Sequence, residues 1–528
     1  MRFFNTAGPV DCARHYCLPP LHRIDLDEVL LLIEQQKYFV LHAPRQTGKT
    51  SFLLALMQYL NEQGRYRALY VNVEPAQAAR QNVDGAIRAI LSGIALQARQ
   101  FLNDTFPETK VRELIVNFSP FSALHQLLSN WSEASDLPLV IFIDEIDSLV
   151  GDTLVAVLRQ IRGGYEKRPA NFPHSIILCG VRDVRDYRLH LESDAAPITG
   201  GSAFNIKAES IRMGNFIEAE VAQLLQQHTV ETGQPFTPQA IARIWYLTQG
   251  QPWLVNALAY ETCFKMKENR DRSLAISLEK VEEAKENLIL RRETHLDQLT
   301  DKLKEPRVRR VVEAMVQGEA LDETVSALDI EYVVDLGLVR RGADGLVIAN
   351  PIYQEVIPRD LNFVTQIALE SIQRSAWYIA PDGRLDTAKL LAAFQDFFRQ
   401  HSEHWVERFE YKEAGPQLLL QAFLQRVVNG GGRIEREYGL GRGRTDLLIL
   451  WPGNGSGQRI VIECKIVHSS LDGTIREGLA QTHRYMERCN ASAGHLVLFD
   501  RHAQRSWDDK IFQRTERYEN ATIHIWGM

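Results

Sequence analysis

One octapeptide constrains this 528-residue chain more than any other feature. Ala43-Pro44-Arg45-Gln46-Thr47-Gly48-Lys49-Thr50 lies between an apolar run, Tyr38–His42, and a helical pattern running from Ser51 to Leu60. A glycine-containing turn that leaves a strand and enters a helix aims several backbone N–H groups, and the positive end of the helix, at one point. Such a point takes phosphate. Lys49 would then reach the β- and γ-phosphates of a nucleotide, and the Thr50 hydroxyl would hold Mg²⁺. All of Ala43 to Ser51 are candidate nucleotide-binding positions. Ala43 stands where the Walker A pattern carries its first glycine, and a small residue suffices there. An ordinary strand–turn–helix with a chance Gly-Lys-Thr is the alternative.

Further apolar runs at Ala68–Val73, Leu139–Ile143 and Ser175–Gly180 are separated by helical patterns, which predicts a parallel α/β sheet. The third run ends in Asp144-Glu145, the form of a Walker B strand. Asp144 is placed to hold Mg²⁺, and Glu145 to polarise the attacking water as general base; alone, the pair could equally be a solvated strand end. After the fourth run, Arg182 is the candidate γ-phosphate sensor, whereas Arg185 and Arg188 read equally as surface ion pairs. Arg159 and Arg162 fit arginine fingers of an assembly or a solvated helix face.

Three further segments extend the pattern: Leu21-His22-Arg23-Ile24-Asp25, Gly250-Gln251-Pro252-Trp253 and Asn350-Pro351-Ile352-Tyr353. With them, residues of roughly 15 to 360 resemble the P-loop ATPases of the AAA+/STAND group, especially its archaeal-ATPase-like and AAA-like members. The resemblance implies ATP as cofactor, Arg23 as a nucleotide-side arginine, and Pro252 as a lid contact with the nucleotide. A helix-initiating proline is the plainer account of Pro252. From about Asn215 to Asp301 the pattern is helical. Helices from Arg307 followed by a hairpin, Gly337–Arg341 and Leu346–Asn350, suggest a winged helix or a helical spacer with an incidental hairpin.

The C-terminal part carries a second constellation. A helix, Gln417–Val428, precedes Asn429–Gly432; strands are predicted at Arg433–Tyr438, Thr445–Leu450, Arg459–Ile466 and His495–Phe499, and a helix at Gly473–Met486. The 17-residue separation of Asp446 and Glu463 suits a hairpin that returns the chain beside its start, across the Pro452–Gly457 turn. Glu463 and Lys465, two apart, share one face of a strand. Two carboxylates and an ammonium among apolar neighbours are costly unless they bind a cation or pair well. Carboxylate oxygens suit Mg²⁺, which would acidify a water and neutralise charge on a phosphodiester; a structural ion-pair network at a sheet edge is the alternative. Gln481 and Tyr485, at i and i+4, share one helix face.

This ordered set resembles the PD-(D/E)XK nuclease superfamily, with Gln481-x-x-x-Tyr485 similar to its RecB-like branch, over about residues 405 to 528. The resemblance implies that Asp446, Glu463 and Lys465 are the metal-binding and catalytic residues, that the Cys464 carbonyl is a further metal ligand, and that Gln481 and Tyr485 assist. Thr445 replaces the motif's proline. Glu437 or Glu413 could supply an extra acid. Arg426, Arg433, Arg436, Arg442 and Arg444 offer phosphate contacts or a solvated face. Trp405, Trp451, Trp507 and Trp526 read as packing residues.

Composition bounds the rest. Apolar residues make up 45% and charged residues 24%, so a largely disordered chain is excluded. A net charge of −7 means that a nucleic-acid partner must meet a local basic surface. Six cysteines without matched ligand spacing point to a reducing, cytoplasmic setting, with Cys12 and Cys17 as free thiols. No secretory h-region and no membrane span are seen.

The expected fold is α/β multidomain: a P-loop parallel-sheet ATPase core (1–210), a helical lid (211–301), a winged helix (302–362), a helical linker (363–404) and a mixed α/β nuclease domain (405–528). The expected function is ATP-regulated, Mg²⁺-dependent cleavage of nucleic acid, DNA being favoured, with homo-oligomer formation and the trigger left open. Family analogy suggests a role in defence or mobile-element control. A nucleotide-switched DNA-binding or signalling ATPase with an inactive nuclease fold is the competing expectation.

Overall fold

A computed structural model describes residues 1–182, 209–291, 294–317, 325–342, 345–361, 378–408, 420, 423–424, 432–438, 445–452, 457–467, 470–500 and 505–528. Arg185, Arg188, Glu413, Arg426, Arg442 and Arg444, most of the expected helix 417–428, and the side chains of Trp405, Arg433, Arg436, Glu437, Thr445 and Asp446 lie outside the described residues. The chain forms two compact units, Met1–Leu290 with Asp335–Gly337, and Arg291–Val334 with Leu338–Met528.

In the first unit, β1 (Phe3–Phe4) and β2 (His15–Tyr16) form a small parallel pair. The main sheet comprises β3 (Phe39–His42), β4 (Arg67–Asn72), β5 (Leu139–Asp144), β6 (Ser175–Gly180) and β7 (Glu209–Arg212). Its order is β4-β5-β6-β3-β7, parallel throughout. Alternate side chains serve two cores. Val40, Leu69, Val71, Ile141 and Leu178 pack with Ile90, Leu127 and Trp131 on one face. Phe39, Leu41, Ala68, Phe142 and Ile177 pack with Phe52, Leu53 and Leu56 of the helix Lys49–Gln63 on the other. A sheet covered on both faces needs strands apolar at every position, which is why these strands read as unbroken runs. The helical region that follows includes Glu218–Thr232, Pro238–Thr248 and Pro252–Tyr260.

The second unit opens with helices Thr294–Leu303 and Pro306–Gln317, then a hairpin of β8 (Val339–Gly342) and β9 (Gly345–Ile348), and helix Pro351–Leu361. Its larger sheet contains β10 (Arg433–Tyr438), β11 (Thr445–Trp451), β12 (Gln458–Val467), β13 (Ala493–Asp500), β14 (Phe512–Tyr518) and β15 (Ala521–Gly527). The order is β10-β11-β12-β13-β15-β14, antiparallel at both ends and parallel across β12-β13-β15. Helix Leu471–Cys489 connects β12 to β13 and packs Ile475 and Leu479 against Leu496 and Ile525. Leu390, Phe394 and Phe423 cover the opposite face.

Two corrections follow. Strands β1, β2, β7, β14 and β15 were not anticipated; β7, for instance, buries only Ile211 of its four residues. Cys12 and Cys17 are joined by a disulfide rather than free: the β1–β2 pairing folds the intervening loop so that their Cα atoms stand 5.4 Å apart, within bridging distance. Among the described residues no helix is long and apolar enough to cross a membrane.

Candidate functional sites

The octapeptide 43–50 joins β3 to the helix Lys49–Gln63. Its turn requires unusual backbone: Gln46 lies at φ 58° and Gly48 at φ 100°. Glycine adopts the latter freely, while a non-glycine residue in the left-handed region costs energy and is frequent at functional sites. Lys49 is buried, and its ammonium donates to the Ala43 and Pro44 carbonyls at 2.9 and 3.0 Å. Thr47 Oγ1 donates to the Pro44 carbonyl at 2.8 Å, closing the turn on itself.

Pairing of β4 with β5 sets Asn72 beside Asp144, and β5 ends at the level of the loop. Thr50 Oγ1 donates to Asp144 Oδ2 at 2.7 Å. Tyr70 Oη donates to the same oxygen at 2.9 Å, and the Glu145 backbone N–H to Asp144 Oδ1 at the same distance. Tyr70 was not singled out in the sequence, although strand alternation puts 70 and 72 on one face, as it does 142 and 144. Glu145 is half-buried at φ 57°. Burial, reinforced by the Asp147 and Asp144 carboxylates, raises its pKa against the opposing pull of Lys49 and Arg45. A carboxylate so raised is a better proton acceptor near neutrality.

Arg23 donates to the Thr47 carbonyl at 3.2 Å and the Gly214 carbonyl at 2.6 Å, and its guanidinium lies 4.4 Å from the Phe216 ring centroid. Burial lowers it to about 10, which leaves it cationic. Beside the loop is a cavity lined by Arg23, Gln46, Thr47, Gly48, Ser51 and Pro252. Its outer wall is a surprise: Asn5, Thr6, Ala7, Gly8 and Val10, between β1 and β2, line it together with Trp253. Arg45, Arg159 and Arg162 are exposed. Arg182 follows Val181, whose N–H donates to Asp147 Oδ2 at 3.3 Å.

The second constellation lies on β11, β12 and helix Leu471–Cys489. Asp446 is directly opposite Glu463 in the β11–β12 ladder, and Glu437 of β10 is opposite Asp446; opposed residues of an antiparallel ladder share a sheet face. Glu463 is 0% exposed, and neither carboxylate oxygen has a hydrogen-bond partner among the described residues. The Lys465 ammonium stands 3.7 Å from Glu463 Oε1 and 3.6 Å from Glu477 Oε1. Glu477 also accepts from Gln481 Nε2 at 2.9 Å, while the buried Gln481 Oε1 has no partner among the described residues. Glu477 was not anticipated; its place one helical turn before Gln481 was the signal. Tyr485 is buried beneath the same helix. Gly478 permits the helix to lie this close, since a Cβ there would come within 2.6 Å of Leu496. Cys464 is buried next to Glu463.

Comparison with solved structures finds likenesses of low identity. A Walker-type ATPase of Pyrococcus abyssi is 16% identical with a TM-score of 0.45, over 67% of this chain and 99% of its own. Cdc6p of Pyrobaculum aerophilum is 16% identical with a TM-score of 0.38, over 66% and 95%. The RuvB Holliday junction branch migration motor of Thermotoga maritima is 14% identical with a TM-score of 0.34, over 63% and 95%. No curated protein matches the chain. The family described as AAA-like domain matches residues 27–357, which takes in the octapeptide, the Asp144-Glu145 strand end, the helical region and the hairpin; by that match, covering more than half its length, the chain belongs to the AAA-like domain family of P-loop ATPases.

Proposed function

We propose that this protein is an ATP-regulated, metal-dependent nuclease, in which a P-loop ATPase controls a PD-(D/E)XK domain that cleaves nucleic acid, DNA in the first instance. ATP binding and hydrolysis follow from the first site. The P-loop amides and Lys49 bind the phosphates: the ammonium exchanges its two carbonyl acceptors for phosphate oxygens. Glu145 accepts the proton of the attacking water. Arg23, Pro252 and Arg182 are assigned to nucleotide contact, lid contact and γ-phosphate sensing respectively.

The observation that carries the nuclease reading is the Glu463 carboxylate, fully buried and without a hydrogen-bond donor among the described residues, opposite Asp446 in register. A buried carboxylate lacking donors costs several kcal/mol by general estimates, roughly the scale of a protein's whole stability margin. A function at that position accounts for its presence better than structure does. The donor set of carboxylate and carbonyl oxygens fits a hard divalent cation. Mg²⁺ would be held by Thr50 and Asp144 at the first site and by Asp446, Glu463 and the Cys464 carbonyl at the second, supplying neutralising charge at phosphate in both and a more acidic water in the latter. Lys465 stabilises charge on the scissile phosphate, and Gln481 and Tyr485 orient it.

Incubation of the full chain with single- and double-stranded DNA and RNA and Mg²⁺, with and without ATP, tests the reading. Cleavage lost in Asp446→Ala and Lys465→Ala is the expected result. ATP hydrolysis with no cleavage of any substrate would leave a nucleotide-switched binding protein in its place. Full cleavage by Lys49→Ala under ATP would remove the regulatory half of the reading.

A further inference from the structure

The outer wall of the nucleotide cavity is a strap. Its two ends are well anchored on the helical region. At one end Arg2 pairs with Glu231 at 2.9 Å and Phe3 and Phe4 pack on Tyr260 and Phe264. At the other, Tyr16 meets His228, and the backbone N–H and carbonyl of Cys17 are both bonded by the Gln227 side-chain amide, at 3.1 and 2.8 Å. Between them Asn5 braces the strap internally, its Nδ2 donating to the Gly8 carbonyl and its Oδ1 accepting from the Ala7 N–H, and two described hydrogen bonds tie it to the rest of the unit. Trp253 Nε1 donates to the Thr6 carbonyl at 2.9 Å, and the Val10 N–H donates to Ser51 Oγ, on the P-loop helix, at the same distance. Beyond Val10 the chain runs through four exposed residues, Asp11 to Arg14. The Arg14 and His15 N–H groups donate to the Asp11 carbonyl at 3.0 and 2.7 Å, and the disulfide from exposed Cys12 to Cys17 adds a covalent tie between the same turn and the fixed end.

We infer that the Cys12–Cys17 disulfide is a redox latch on the nucleotide site: closed, it holds the strap against the cavity; opened by a dithiol reductant, it lets the strap move and nucleotide leave. The inference rests on the nucleotide-binding reading of the P-loop. Cys12 is exposed, and an exposed disulfide sulfur is open to thiol exchange, which is where labile and regulatory bridges are found. A thiolate of the reductant attacks Cys12 Sγ, the S–S bond breaks, and Cys17 leaves as thiolate and takes up a proton. The reductant's second thiol then releases Cys12 as a thiol, and the reductant becomes a disulfide; two electrons and two protons are transferred. Reaction with a partner disulfide reverses the step. Because coupling is reciprocal, bound nucleotide must shift the thiol–disulfide equilibrium toward the closed latch by the same factor as the closed latch tightens nucleotide.

The test measures binding of a fluorescent ADP analogue to the full chain, oxidised and after dithiothreitol, with thiols counted by alkylation and mass spectrometry. Reduction is expected to weaken binding about tenfold, within the usual range of coupling between two sites. Cys12→Ser/Cys17→Ser is expected to match the reduced protein and to ignore dithiothreitol. Reduced wild-type protein capped with iodoacetamide gives the same comparison without substitution. Equal affinity in oxidised and reduced chains overturns the latch and leaves the nucleotide site standing. Two free thiols at Cys12 and Cys17 under mild oxidant also overturn it. Failure of both forms to bind the analogue overturns the latch together with the nucleotide reading.

Discussion

The two constellations handle buried charge in opposite ways. At the P-loop the two most buried charged groups are answered from within: Lys49 by two carbonyls, Asp144 by the Thr50 and Tyr70 hydroxyls and the Glu145 amide. At the second site Glu463 is equally buried but receives no hydrogen bond from the described residues, and its described counter-charge is an ammonium 3.7 Å away that Glu477 shares. The first site is organised by its own backbone. The second is high in energy unless something further arrives. Binding sites of the two kinds are built differently: one from loop geometry and dipoles, the other from unsatisfied charge.

That contrast can be broken most sharply by separating the two activities. Glu145→Gln is expected to reduce ATP hydrolysis by about 10²–10⁴-fold, the usual contribution of a general base, while nucleotide still binds. Lys465→Ala is expected to reduce DNA cleavage by about 10²–10³-fold and leave hydrolysis intact. Phosphate release and gel-resolved cleavage on the same preparations measure both. A variant at one site that abolishes both chemistries would show that the sites are not distinct.

A smaller effect is expected from pH. Glu145 must be ionised to accept a proton, and its pKa is raised by burial and by its acidic neighbours. Hydrolysis should therefore fall as pH is lowered, by about tenfold per unit below that pKa, and begin to fall at a higher pH than an ordinary carboxylate would dictate. Asp147→Asn removes one of the raising carboxylates and should move the fall to lower pH. A profile unchanged by that substitution would remove Glu145 from the role of base.

Stability gives the next comparison. Glu463→Gln removes a buried charge that lacks donors, and should abolish cleavage while raising stability by about 1–3 kcal/mol in urea unfolding. Tyr70→Phe, at the site where charge is answered, should lower stability by about 1 kcal/mol through loss of one hydrogen bond to Asp144. Destabilisation by Glu463→Gln would mean that Glu463 is a structural ion-pair partner after all.

Much of this was legible in the sequence where burial on both faces wrote a continuous pattern. Ser175–Gly180 and Arg433–Tyr438 fall where the residues predicted them. Asp144 ends its strand as the Walker B reading required. The edge strands escaped because an edge needs only one apolar side: β14 reads Phe-Gln-Arg-Thr-Glu-Arg-Tyr and is largely exposed. The neighbouring β15, with Ile523 and Ile525 both buried, carried an alternation that could have been read. The disulfide had no sequence signal, since a spacing of five residues says nothing until the β1–β2 pairing folds the loop. Tyr70 and Glu477 were hidden because each acts through a residue on another strand or one helical turn away. The cavity wall at residues 5 to 10 was invisible for a related reason: it is distant in sequence from everything it faces.

Calorimetric titration of Mn²⁺ into the Asp144→Asn chain, in the absence of nucleotide, reads cation binding at the second constellation alone. One binding event that disappears in Asp144→Asn/Glu463→Gln is the expected result. Binding that persists unchanged without the Glu463 carboxylate, or no binding to either chain, would contradict the metal-dependent reading.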